Sequence, residues 1–182
     1  MRRYRFEYIF RPKTVSRQFE GQGMMGEFRF STQLRVRWSE CDAQDIVYYG
    51  AYMDFLEVGQ GAYYRNLGFM LYDIQGRKAF DTATAKATLE YVAPARVDDV
   101  LDIGVRMARI GTTSLTSEYE IRHSESGVQI MRAELIHVNY DSDIAEKRSV
   151  PDGLREVIET FESTGVAPSL DRFPDLSGLT RA

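Results

Sequence analysis

The chain has 182 residues, 43% of them hydrophobic and 27% charged, enough to bury one core but too few for two full-sized domains. A formal charge of -4 argues against nucleic-acid binding, and the single Cys41 excludes an internal disulfide. No apolar run of about 18 residues is present and the Arg-rich start lacks the apolar core of a secretory signal, so the expectation is a cytoplasmic protein with no membrane span. One Cys with His123 and His137 offers no zinc spacing, so no metal is expected.

Residues 1–27 carry Arg2, Arg3, Arg5, Arg11, Lys13 and Arg17 before a GQGMMG stretch, and read as an N-terminal extension to a domain over 28–163, with 164–182 an irregular tail. Phe28, Phe30, Leu34, Val36 and Trp38 alternate with polar residues, the period of a half-buried first strand. From Gly50 to Leu67 the period changes. Tyr52, Phe55, Leu56, Gly59 and Tyr63 recur three or four apart, while Asp54, Glu57, Gln60 and Tyr64 fall largely elsewhere on the wheel, which predicts an amphipathic helix. Gly59 and Gly61 each cost about 1 kcal/mol relative to alanine in a helix interior; close approach of a sheet would account for them.

Phe80 to Ala93 predicts a second strand with Ala83, Ala85, Ala87, Leu89 and Tyr91 on one face, small side chains that suit contact with a helix. After a PARVDD turn, Leu101, Ile103, Val105 and Met107 alternate up to Gly111, and strands over Leu115 to Ile121 and Val128 to Tyr140 follow as hairpins. In the last of these Arg132 and Glu134 interrupt an apolar face and point either to solvent or to a subunit contact. Pro151 opens a terminal helix with Leu154, Val157, Ile158 and Phe161 on one stripe. The order predicts an α+β layout in which an antiparallel five-stranded sheet curls around the long helix.

The loop before that helix crowds Glu40, Cys41, Asp42 and Asp45. A helix N-terminus offers unpaired N–H groups that can polarise a carbonyl, and a neighbouring carboxylate can attack it or activate water. The alternative is that these acids only cap the helix and solvate a loop. Cys41 has no histidine partner by spacing and reads better as a buried small residue than as a nucleophile. His123 and His137 read as surface or hydrogen-bonded core residues, and Glu57 as part of a solvated helix face.

The segment WSECDAQDIVYYGAY, with LEYVAPARVDDVLDIGVRMARIGTTSLTSEYEI and AELIHVNYD, resembles the 4-hydroxybenzoyl-CoA thioesterase family over roughly residues 28 to 163. The resemblance implies the hot-dog fold and an acyl-CoA thioester hydrolase acting on a small aromatic or aliphatic acyl-CoA. It makes Asp42 the catalytic carboxylate and the backbone N–H of Tyr49, with Gly50, the donor to the thioester carbonyl. Tyr48 would line the acyl pocket. Arg109, Thr113 and Ser114, with Arg106, Arg77 and Lys78, are candidates for holding coenzyme A. The resemblance implies a homodimer or homotetramer and no cofactor apart from the coenzyme A of the substrate. Asp45 departs from the family, which often has glycine there. The rivals are a non-catalytic acyl-thioester-binding or interaction module on the same fold, and a hydratase, for which no histidine precedes His123.

Overall fold

A computed structural model describes residues 28–69, 80–173 and 176. Strand β1 (Phe30–Arg35) is followed by a short 3-10 turn (Trp38–Glu40) and helix α1 (Ala51–Asn66). Then come β2 (Thr82–Tyr91), β3 (Val100–Ile110), β4 (Ser114–His123), β5 (Gln129–Asp141), the two-residue β6 (Glu146–Lys147) and helix α2 (Asp152–Thr164). The sheet runs β1-β3-β4-β5-β2, antiparallel in every pair, with β6 folded back on the end of β5. This is the expected α+β layout, except that β6 carried too few residues to show a period.

Helix α1 lies against the inner face of the sheet, where Leu101, Ile103, Val105, Leu115, Tyr119, Ile121, Met131, Ala133 and Leu135 are buried. The approach is closest at Gly59, where an added Cβ would sit 2.9 Å from Ile103 Cγ2 and 3.1 Å from Val105 Cγ2. Gly61 does not share that reason, since a Cβ there would meet only the guanidinium end of Arg65. The buried stripe of α1 is wider than its period suggested, because Gln60 and Tyr64 are buried too. Gln60 is accommodated by a hydrogen bond: its Nε2 lies 3.1 Å from His137 Nε2, whose ring Nδ1 lies 3.3 Å from Thr84 Oγ1.

Two strand expectations change. Trp38 does not extend β1; the chain turns at Arg37 and leaves the indole 83% exposed. The turn is held by Glu40, which accepts from the Arg37 backbone N–H and from Arg37 Nε, each at 2.7 Å. Strand β2 is a sheet edge rather than a helix-facing strand, and Ala83, Ala85 and Ala87 are exposed. A register shift between Thr84 and Lys86 also breaks the regular alternation across Ala85. Arg132 and Glu134 face the outer side of the sheet, which carries a ladder of charges including Arg106–Glu118 at 2.7 Å and Arg122–Glu120 at 2.6 Å.

Helix α2 buries Leu154, Val157, Ile158 and Phe161, as its stripe predicts. Glu162 ties it to the rest of the core: its Oε1 accepts from the Tyr63 hydroxyl at 2.6 Å and from Met107 N–H at 2.8 Å. Beyond α2 a 3-10 turn (Leu170–Arg172) leads to buried Phe173 and Leu176, so part of the tail is packed. The expectations for 1–27, Arg77 and Lys78 lie outside the described residues. No helix among the described residues is long and apolar enough to cross a membrane.

Candidate active site

The loop between β1 and α1 is a tight, hydrogen-bonded excursion. Cys41 and Val47 pair as an isolated antiparallel bridge, Asp42 N–H donates to Ile46 O at 2.9 Å, and Asp45 N–H donates to Asp42 O at 3.0 Å. Asp42 Oδ1 accepts from Gln44 N–H at 2.7 Å, which fixes the carboxyl group and leaves Oδ2 with no partner among the described residues. Closing so short a turn forces Asp45 to φ 61°, the left-handed region where a Cβ is strained and Asp is among the better-tolerated side chains. That conformation explains why a glycine suits this position and why Asp45 can replace it. Its side chain is exposed.

Further bonds fasten the loop to the sheet. Val47 N–H donates to Ala95 O at 2.9 Å, Tyr48 N–H to Glu40 O at 2.8 Å, and the Tyr91 hydroxyl to Tyr49 O at 3.0 Å. Tyr52, at the start of α1, is buried, stacks edge-on against Tyr91 at 5.4 Å, and has its phenol pKa pushed up to about 12 by burial. The N–H groups of Tyr49 and Gly50 donate to no group among the described residues. They lie further along the same loop as Asp42, at the entry to α1, and are free to donate to a ligand. Tyr48 and Tyr49 are exposed and their rings lie 4.4 Å apart. A Cβ at Gly50 would come within 2.5 Å of the Tyr48 ring.

The other candidates separate from this loop. Burial, with the charges of Glu40 and Asp42 next, pushes the Cys41 thiol pKa up, which opposes a thiolate nucleophile. Glu57 is solvent-exposed, and His123 Nδ1 accepts from Ser126 N–H at 3.2 Å in a turn. Asp42 follows the end of β1 that pairs with Val100, whereas Arg109, Thr113 and Ser114 lie at the opposite end of β3 and β4. Ten residues at about 3.3 Å each put roughly 30 Å between the two ends, so one chain alone does not bring these residues together. The far turn is tied down by Arg155, which donates to Ile110 O and Gly111 O at 3.1 and 2.7 Å. Among the described residues no group of three or more His, Cys, Asp or Glu is placed to hold a metal ion.

Sequence reading missed the role of Tyr91, which holds the loop from outside it, and read Glu40 only as one of the acids crowding the loop, not as the group that fastens its start. Neither has a local signal: Tyr91 fits a strand period, and Glu40 fits any polar turn.

Residues 44–130 match the model of the thioesterase superfamily, a stretch that begins just after Asp42. The chain is 30% identical over 126 residues to the acyl-CoA thioester hydrolase YbgC of Escherichia coli O6:H1, covering 69% of this chain and 92% of that protein. Among solved structures it is similar to a DHNA-CoA thioesterase from Staphylococcus aureus (TM-score 0.67, 17% identity, 76% of this chain and 95% of that one). It is also similar to a mutant 4-hydroxybenzoyl CoA thioesterase complexed with 4-hydroxybenzoyl CoA (TM-score 0.65, 21% identity, 71% and 97%). At those identities the structural likeness establishes the hot-dog fold.

Proposed function

The chain belongs to the thioesterase superfamily, and on that premise we propose that it hydrolyses acyl-CoA thioesters with Asp42 as nucleophile or general base. What supports this reading is one loop that holds Asp42, whose carboxyl group accepts from Gln44 N–H on one oxygen, and, at the entry to α1, the N–H groups of Tyr49 and Gly50, which donate to no group among the described residues. Asp42 either attacks the thioester carbon, expelling the thiolate and forming an acyl-aspartate anhydride that water then hydrolyses to the free acid, or takes the proton of the attacking water. The proton that water gives up passes to the departing sulfur. The N–H donors receive the charge that develops on the carbonyl oxygen, and the thiol of coenzyme A leaves.

The exposed rings of Tyr48 and Tyr49 favour a small aromatic or aliphatic acyl group. Coenzyme A would reach Arg109, Thr113 and Ser114 only in an assembly. Among the described residues no strand pairs with the outer edge of the ten-residue β2, a feature that proteins usually pair or protect. Two copies paired antiparallel through β2 would set the Thr82 end of one against the Tyr91 end of the other. Ser114 and Ala83 both pair with Val138, so Ser114 shares the level of the Thr82 end. That arrangement carries the Arg109 end of one protomer towards Asp42 of the other, and supports a homodimer, alone or within a homotetramer.

Release of free thiol from aromatic, short-chain and long-chain acyl-CoAs tests the reading. Turnover is expected, fastest with the aromatic or short-chain members. Saturable binding without turnover of any member would shift the assignment to an acyl-thioester-binding module.

A further inference from the structure

Two consecutive peptide units carry the donors at the candidate site, and their carbonyls are held differently. The Tyr48–Tyr49 unit presents Tyr49 N–H, and its carbonyl accepts from Ala51 N–H at 2.9 Å, a bond made by the chain's own turn into α1. The Tyr49–Gly50 unit presents Gly50 N–H. Its carbonyl takes no backbone bond among the described residues and accepts from the Tyr91 hydroxyl at 3.0 Å. In a trans peptide the C=O and N–H point in opposite directions, so whatever holds the carbonyl also aims the N–H.

We infer that Tyr91 is a positioning residue for thioester hydrolysis: its hydroxyl anchors the Tyr49 carbonyl, aiming Gly50 N–H at the substrate carbonyl and preventing the Tyr49 oxygen from rotating into that place. The inference rests on the reading of Asp42 and its neighbouring donors as a thioesterase site. Tyr91 is suited to the task because its position is set elsewhere. It closes β2 opposite Met131, and its ring packs edge-on against buried Tyr52. Burial, with Tyr49 beside it, raises the Tyr91 phenol pKa, so the hydroxyl remains a donor at neutral pH. Freed from that bond, the second peptide unit would spend part of its time with a carbonyl oxygen facing the developing negative charge.

Tyr91→Phe keeps the ring and removes the donor. With the acyl-CoA that the wild type hydrolyses fastest, kcat is expected to fall about ten-fold, less than the roughly hundred-fold or greater loss from deleting an oxyanion donor outright. KM should stay within about two-fold, because the ground-state carbonyl gains little from the donor. The melting temperature and subunit assembly should match the wild type. An unchanged kcat, a rise in KM alone, or a kcat loss that tracks a loss of folded or assembled protein would each overturn the positioning role. Wild type and Asp42→Asn assayed in parallel separate the two readings. A wild type without turnover, or an Asp42→Asn variant with full turnover, counts against the site itself, whereas a normal response of both beside an unaffected Tyr91→Phe counts against Tyr91 alone.

Discussion

Replacing Gly59 by alanine sets two effects of known sign against each other. Alanine is better than glycine in a helix interior by about 1 kcal/mol, which alone would stabilise α1. The new Cβ, however, would stand 2.9 Å from Ile103 Cγ2 and 3.1 Å from Val105 Cγ2, well inside the roughly 3.5–4.0 Å optimum for carbon contacts. Both partners are fully buried β-branched residues of β3 and have little freedom to withdraw. Overpacking of this kind costs about 1–3 kcal/mol, so a net loss of about 1 kcal/mol is expected for Gly59→Ala. Gly61→Ala is the internal control. Its Cβ would meet only the mobile Arg65 guanidinium at 3.3 Å, and the helix-propensity gain of up to about 1 kcal/mol should survive. Urea unfolding of the three proteins, read as midpoint at constant m-value, measures both. A Gly59→Ala midpoint equal to or above that of Gly61→Ala would refute the claim that the helix approaches the sheet through Gly59.

Two further perturbations follow from buried polar contacts. Glu162→Ala leaves the Tyr63 hydroxyl and Met107 N–H without their shared acceptor; at about 1–3 kcal/mol for each orphaned donor, unfolding free energy should fall by about 2–6 kcal/mol, measured by the same urea titration. Burial lowers the His137 pKa below 6.5, so the unfolded chain binds a proton that the folded chain refuses. The stability due to neutral His137 is thus fully present above about pH 6.5 and is lost as pH falls towards the folded pKa. Wild type should therefore lose more stability than His137→Gln between pH 7.5 and pH 5.5 in urea denaturation; equal losses would contradict the assignment.

Much of the fold was legible because burial follows period. The alternation in β3 to β5 and the stripe of α2 emerge where the sequence places them, since each has one dry face over most of its length. The misreadings arise where tertiary context overrides that rule. Trp38 continues an alternating pattern, but the chain has already turned under the hold of Glu40. The alanines of β2 look like a helix-facing surface, yet the strand sits at the sheet edge, a matter of topology that no local pattern encodes. Gln60 reads as a solvent residue until His137, on a strand far along the chain, supplies its partner.

The candidate site was legible in a different way. Composition marked the acidic loop before α1, but only the family resemblance distinguished Asp42 from its neighbours. The φ of 61° at Asp45 gives that departure from glycine a conformational meaning. The separation of Arg109, Thr113 and Ser114 from Asp42 depends on which ends of the strands meet, and period alone does not fix that.

The most direct test of the central claim compares steady-state acyl-CoA hydrolysis by wild type, Asp42→Asn and Cys41→Ala, each verified as folded. The account predicts that Asp42→Asn loses at least about 10²-fold in kcat, the contribution typical of a positioned catalytic carboxylate, while Cys41→Ala retains activity within a few-fold. Asp42→Asn turning over at the wild-type rate, or Cys41→Ala losing activity in its place, would contradict it.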